Sequence, residues 1–219
     1  LAISSDQYFY IIGGGFQDQP GLGIERIDRY LRLFGFARPT GITFSNEPSG
    51  TIPTPAWKME VFGEEWLLGN TYHTAIGQYG FQTTVLQSLR AFSSIANDGV
   101  LVTPVVVLGE EGKRETVRVS KESLQVVREG MRQVVTEGTA QGLSVPYVAV
   151  AAKTGTAELG VSKDFVNSWV VGFFPYENPR FAFIVMMERG PATNLIGGVS
   201  IMRKLLDWMH ANSAHYLSS

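Results

Sequence analysis

Hydrophobic positions along the chain fall into two patterns, a helical period and continuous apolar runs. Over residues 23–34, Ile24, Ile27, Leu31 and Phe34 return every three or four places, which puts them on one face of a helix, and Gly35 follows as a stop. Residues 83–97 keep the same spacing through Leu86, Leu89, Phe92 and Ile95 and end at Asp98-Gly99. Ser120 heads a further amphipathic segment, with Leu124, Val127, Met131, Val134 and Val135 on its buried side and Gly138 at its end. At the start of the chain, Ser4-Ser5-Asp6 precede the aromatic run Tyr8-Phe9-Tyr10, which is a helix N-cap signal.

The second pattern is that of strands. Residues 100–108 form a β-branched run. Three apolar runs follow later, at 148–159, 165–174 and 181–188, joined by Gly160-Val161-Ser162-Lys163 and by Pro175-Tyr176-Glu177-Asn178-Pro179. Links this short predict antiparallel neighbours, hence a three-stranded meander. Its apolar face needs a cover, which a last helix over about 198–210 supplies. Residues 36–82 read as irregular, broken by Pro39-Thr40-Gly41, Pro48-Ser49-Gly50 and Pro53-Thr54-Pro55. An ordered connection of that length usually carries function. The pattern predicts an α+β domain over 1–219, helical to about residue 140, with the sheet and last helix over about 146–212.

Composition narrows the function classes. Hydrophobic residues make up 44% and charged residues 17%, which supplies a sizeable core and argues against disorder. A net charge of -2 without a long basic run makes nucleic acid a poor partner. Cysteine is absent, and His73, His210 and His215 form no His-x-His or His-x-x-x-His pair, so no metal site or cofactor is expected. No stretch of about 18 apolar residues suggests a membrane span. The chain begins at Leu1 rather than Met, which reads as a piece of a longer protein whose targeting segment lies upstream.

Two groups of residues carry candidate chemistry. Lys153-Thr154-Gly155-Thr156 lies inside the run 148–159. A lysine in an apolar strand needs a reason, because its charge is costly to bury unpaired. At an edge beside a cleft it would attract a carboxylate, Thr154 would add a hydroxyl, and Gly155 would let another backbone approach. Such an edge can pair with an extended peptide, and a backbone N–H beside it can face a developing oxyanion. As a bare tripeptide the block also suits a surface turn. The second group is Ser4 and Asp6, a hydroxyl and a carboxylate that could relay a proton and orient a substrate amide. Taken alone, a helix cap is the better reading of that pair.

Lys153-Thr154-Gly155 and Ser4-Ser5-Asp6 match, in order, two of the three motifs shared by penicillin-binding proteins and related β-lactamases. The wider text resembles a class B penicillin-binding protein of the elongation type. The resemblance runs through Phe34-Gly35, Pro39-Thr40-Gly41-Ile42, Gly50-Thr51-Ile52-Pro53 with Trp57-Lys58, Ala75-Ile76-Gly77-Gln78, Ala96-Asn97-Asp98-Gly99-Val100 and Trp169-Val170-Val171-Gly172-Phe173-Phe174-Pro175. It covers nearly the whole chain. It implies a β-lactamase/transpeptidase-like fold and a parent serine D,D-transpeptidase that cross-links peptidoglycan stem peptides ending in D-Ala-D-Ala and is acylated by β-lactam antibiotics. It also implies that Ser4 joins the proton relay to the leaving amine, Asp6 holds the substrate amide, and Lys153 supports the electrostatics. Thr154 and Thr156 bind the carboxylate beside Gly155, and the Thr156 N–H is half of the oxyanion hole. The parent is expected to be membrane-anchored on the extracytoplasmic side.

The chain departs from that pattern in one large respect. No serine has a lysine three places later; Ser200-Ile201-Met202-Arg203 comes nearest, and an arginine stays protonated and cannot act as the base. The nucleophile, with the first strands of the sheet and its own helix, is therefore expected before Leu1, and this chain alone is expected to be inactive. Without those strands the run 181–188 is expected to be an uncovered edge that favours a homodimer or domain swap, or that requires the missing N-terminal part. Two departures are smaller. Tyr79 stands where the family has the second glycine of Gly-Gln-Gly, a place where a tyrosine fits a positive φ poorly, and Asp6 replaces the more widespread Asn. The alternatives are a β-lactamase or β-lactam sensor of the same fold and a non-catalytic binding module. Glu64-Glu65, which a deacylating enzyme could use, reads better as a solvated acidic pair, and the Pro53 and Trp57-Lys58 blocks favour the transpeptidase.

Overall fold

The computed structural model describes residues 1–43, 46–193 and 197–217. Its longer elements are α1 (Asp6–Gly14), α2 (Gly23–Leu33), α3 (Pro55–Phe62), α4 (Leu68–Ala75), α5 (Val85–Ala96), β1 (Val100–Val102), β2 (Arg114–Thr116), α6 (Lys121–Thr136), β3 (Ala151–Leu159), β4 (Phe165–Phe174), β5 (Phe181–Pro191) and α7 (Gly198–Asn212). They fall into two units, an α+β unit of Leu1–Ser4, Phe92–Val100 and Arg118–Ser219 and a mainly helical unit of Ser5–Ala91 and Leu101–Val117. The α+β class is as expected.

In the first unit the three late strands form the antiparallel meander β3-β4-β5. The register sets Lys153 opposite Val171, Thr154 opposite Val170, Gly155 opposite Trp169 and Thr156 opposite Ser168. Alternation along β3 sends neighbouring alanines into two different apolar clusters. Ala152 joins Val150, Val170, Phe174 and Phe183 under Met202 and Leu206 of α7. Ala151 joins Phe173 against Met131 of α6 and Ala96 of α5. Met202 and Leu206 are fully buried, each contributing about 1.5–3 kcal/mol by transfer from water. So α7 covers the sheet, as its spacing predicts. Arg128 of α6 adds polar ties, donating to the Ala96 carbonyl at 3.2 Å and to the Tyr176 carbonyl at 3.2 Å.

In the second unit α1 packs on α4, with the Tyr72 hydroxyl donating to the Gly15 carbonyl at 2.9 Å. The stretch read as irregular holds two helices. The Pro53-Thr54-Pro55 group starts α3 rather than breaking it. Thr54 caps the helix by accepting from the Trp57 N–H at 3.2 Å, Pro55 takes the first turn where its missing N–H costs nothing, and Gly63 ends the helix in the left-handed region. Asn70 in turn caps α4, accepting from the Leu67 N–H at 2.8 Å. The β-branched run 100–108 is a strand only over Val100–Val102, where it pairs with β2; Val105, Val106 and Val107 are exposed and have no strand partner among the described residues.

Tyr79 does adopt a positive φ, 59°, between Gly77 at 78° and Gly80 at 76°. Edge-on contacts with Trp57 at 6.1 Å and Trp66 at 5.7 Å hold it there. A left-handed non-glycine residue costs about 1–2 kcal/mol, and two such ring contacts return about 0.5–1.5 kcal/mol each beyond the area they bury. Burial of the ring tips the balance. Tyr79→Gly is therefore expected to lower unfolding free energy by about 1 kcal/mol in a urea titration, despite the relaxed backbone.

Arg90 is 5% exposed and donates to the Val102 carbonyl at 3.0 Å and to Glu115 at 3.4 Å. Glu115 also accepts from Arg38, and that bond, with the two guanidinium charges, holds its carboxyl below the usual range. A carboxyl depressed in the folded state stabilises above its unfolded value and loses that contribution as pH falls through the folded one. The carboxylate is 48% exposed, so solvent screening limits its worth to about 1 kcal/mol. Glu115→Gln should thus cost about that much at neutral pH, and the difference from the parent sequence should vanish as pH falls well below 4.5, the carboxyl's ordinary value, in urea titrations across the acid range.

Candidate active site

Along β3 the burial changes within a few residues: Ala151 and Ala152 are fully buried, Lys153 and Thr154 half-buried, Gly155 and Thr156 exposed. Among the described residues β3 pairs only with β4, so its other edge has no strand partner there. Lys153 stands where the strand leaves the core. Its Nζ donates to Ser4 Oγ at 2.7 Å and to the Thr154 carbonyl at 2.6 Å. A lysine ammonium has donors only, so the Ser4 oxygen is the acceptor and its proton is directed elsewhere.

The segment that brings Ser4 to this place is held by the end of α6. Ser4 has φ 52° and its N–H donates to the Leu1 carbonyl at 3.1 Å, closing a tight turn. The Thr139 N–H donates to the Ala2 carbonyl at 3.2 Å. Gly138 makes that approach possible, because a Cβ there would lie 2.2 Å from the Ala2 oxygen and 2.8 Å from the Val134 Cα. The two adjacent serines have separate tasks: Ser5 caps α1, accepting from the Tyr8 N–H at 3.3 Å, while Ser4 meets Lys153.

Ser4, Lys153 and Thr154 are thus brought together in the first unit, with Gly155 and Thr156 next on the same strand. Asp6 belongs to the second unit, exposed in the first turn of α1. Thr139 went unnoticed in the sequence. Its Oγ1 lies 2.6 Å from Thr154 Oγ1, yet a threonine after Gly138 looks like any residue past a helix end. Gly155 has no internal need to be glycine: a Cβ there would meet only the Trp169 Cβ, at 3.5 Å, an ordinary contact. Among the described residues no group of three His, Cys, Asp or Glu could hold a metal, and no helix is long and apolar enough to cross a membrane.

An open edge strand with a lysine against a serine hydroxyl, on this α+β scaffold, agrees with the comparisons. The penicillin binding protein transpeptidase domain model matches residues 1–207, and the chain belongs to that family. Its relatives include proteins of the MrdA type. The peptidoglycan D,D-transpeptidase MrdA of Acinetobacter baumannii is 31% identical over 214 residues, 87% of this chain and 31% of the relative. The penicillin-binding protein PBP2 from Helicobacter pylori superposes with a TM-score of 0.79 at 31% identity, over 95% of this chain and 38% of its own. PBP2 of Pseudomonas aeruginosa, solved in complex with WCK 5153, gives 0.76 at 26% identity, over 96% and 48%. The chain spans about a third of the length of the curated relatives it matches, 28% to 36%.

The two glycines beside this site should respond in opposite ways. Gly138→Ala is expected to destabilise by about 1–3 kcal/mol, as an overpacked site does, and to shift the backbone resonances of Ala2 and Ser4. Gly155→Ala should leave stability within about 0.5 kcal/mol in the same denaturation measurement.

Proposed function

We propose that this chain is the part of a serine D,D-transpeptidase domain that binds the peptidoglycan stem peptide and moves the proton, and that the attacking serine comes from a Ser-x-x-Lys segment outside residues 1–219. The observation that carries this reading is the 2.7 Å contact between Lys153 Nζ and Ser4 Oγ on an open strand edge. The sequence itself holds no Ser-x-x-Lys.

In this reading the serine oxygen bonds to the penultimate D-Ala carbonyl carbon, and the C–N bond to the last D-Ala breaks. The serine's proton reaches the leaving amine through Ser4, whose oxygen Lys153 already holds as an acceptor. An amine of a neighbouring stem then attacks the ester; the new amide forms and the serine regains a proton. Thr154 and Thr156 receive the terminal carboxylate, and the Thr156 N–H is half of the oxyanion hole. Asp6 holds the substrate amide. Gly155 leaves room for the peptide backbone at the strand edge, which its lack of an internal packing role supports. β-Lactam antibiotics enter the same place as mimics of the D-Ala-D-Ala end. The parent is an extracytoplasmic, membrane-anchored protein, and the free edge of β5 takes the upstream strands or, without them, a second copy. A deacylating role for Glu64 has little support, because that carboxylate pairs with the buried Lys58 at 3.2 Å.

The test is a fluorescent penicillin, read as a covalent band after denaturation. The chain alone should give none, and the chain extended upstream to include Ser-x-x-Lys should give one. A band on the chain alone would place an acylated serine within 1–219 and overturn the assignment of the nucleophile. Absence of labelling in the extended protein would overturn the transpeptidase reading.

A further inference from the structure

The contact between Thr139 and Thr154 has a chemical consequence beyond packing. Each threonine hydroxyl has one proton to donate and an oxygen that can accept. At 2.6 Å one of the two hydroxyls donates to the other. If Thr154 donates, its only hydroxyl proton is spent on Thr139 and it meets an incoming carboxylate with lone pairs alone. If Thr139 donates, the Thr154 proton is left for the ligand. An anion beside Thr154 favours the second arrangement, because the two hydroxyl dipoles then point the same way and each bond polarises the next.

The backbone around Thr139 fixes it for this task. Its N–H is committed to the Ala2 carbonyl at 3.2 Å, and Gly138 before it lies where a side chain would collide with Ala2. Thr139 is therefore pinned at the end of α6, with its hydroxyl against β3.

We propose that Thr139 is a positioning residue for carboxylate recognition, donating its hydroxyl proton to Thr154 so that Thr154 donates to the ligand. Thr139 acts through Thr154 and need not touch the ligand. The proposal rests on the transpeptidase reading above, in which Thr154 receives the carboxylate.

The test uses the full-length protein that contains this segment, with benzylpenicillin and its methyl ester as probes, and acylation rates followed by mass spectrometry. The ester lacks the anionic carboxylate, so the ratio of the acid rate to the ester rate reads carboxylate recognition alone. Thr139→Val keeps the shape and removes the hydroxyl. It should lower that ratio by about two- to fivefold, because Thr154 keeps its proton for the ligand but loses the donor that orients and polarises its hydroxyl, and leave the ester rate within about twofold. Thr139→Ser keeps the hydroxyl and should retain the original ratio. Adding Thr139→Val to Thr154→Val should change the ratio no further. Equal slowing of both probes by Thr139→Val would mean a structural role only and overturn the proposal. So would an unchanged ratio in Thr139→Val, a reduced ratio in Thr139→Ser, or an additive effect in the double variant. If Thr139→Val does not fold, Thr139→Ser and Thr139→Ala are compared on the same ratio, and equal ratios overturn it. A parent protein acylated by neither probe would bring down the transpeptidase reading and this proposal together, whereas the other failures leave that reading standing.

Discussion

A lysine at the place where a strand leaves the core must be met by oxygen atoms, and much of the first unit follows from that need. The residues before Lys153 are fully buried alanines, so the strand cannot shift to carry the ammonium outward. Oxygen atoms meet it instead, the Thr154 carbonyl and the Ser4 hydroxyl among them. The first comes with the strand. The second has to be delivered by a segment remote in sequence, and the close approach of Ala2 to Gly138 and the Thr139 N–H delivers it. Lys153 is half-buried, so an ammonium left unmet there would lose part of its hydration, and the left-handed Ser4, at roughly 1–2 kcal/mol, is what brings the hydroxyl to it.

How legible each part was depended on whether its signal was periodic or positional. The meander and α6 are plain because the strands are continuous apolar runs joined by short links and the apolar residues of α6 repeat at helical spacing. The helices α3 and α4 were missed because each has only eight residues and takes its definition from its ends. Proline was read as a breaker, though at the first turn of a helix it is an opener. The candidate site is legible through Lys153 and Ser4 because their two motifs resemble those of a known family and stand in the same order. Thr139 was not, since its role depends on a contact across 15 residues that no local pattern encodes. Tyr79 shows the same limit in another form: a positive φ is unfavourable for tyrosine, but the two tryptophans that hold it lie 22 and 13 positions earlier in the chain.

The second unit solves a similar problem of burying polar groups around Lys58. Lys58 is 3% exposed, and its Nζ donates to the Glu65 carbonyl at 2.6 Å and to Asn70 at 3.2 Å. Asn70 passes the order on by capping α4. Both Lys58 and Lys153 are lysines whose charge is met by oxygen, but their acceptors differ in kind. Lys58 is bound to a carbonyl, a side-chain amide and a carboxylate, none of which has a proton to move. Lys153 is bound to a hydroxyl, which has one.

That difference separates a structural lysine from one that can take part in a reaction, and it extends to the threonine pair. Ser4 accepts from Lys153, and in the arrangement an anion favours, Thr154 accepts from Thr139. Each hydroxyl then receives a hydrogen bond from the protein side and keeps its own proton for another partner. A hydroxyl that only donated into the protein would offer an incoming peptide nothing but lone pairs, and a terminal carboxylate would be repelled rather than held. On the proposed reading, the orientation of two protons, set by neighbours that need not touch the substrate, would be as much a part of the site as the residues along the strand edge.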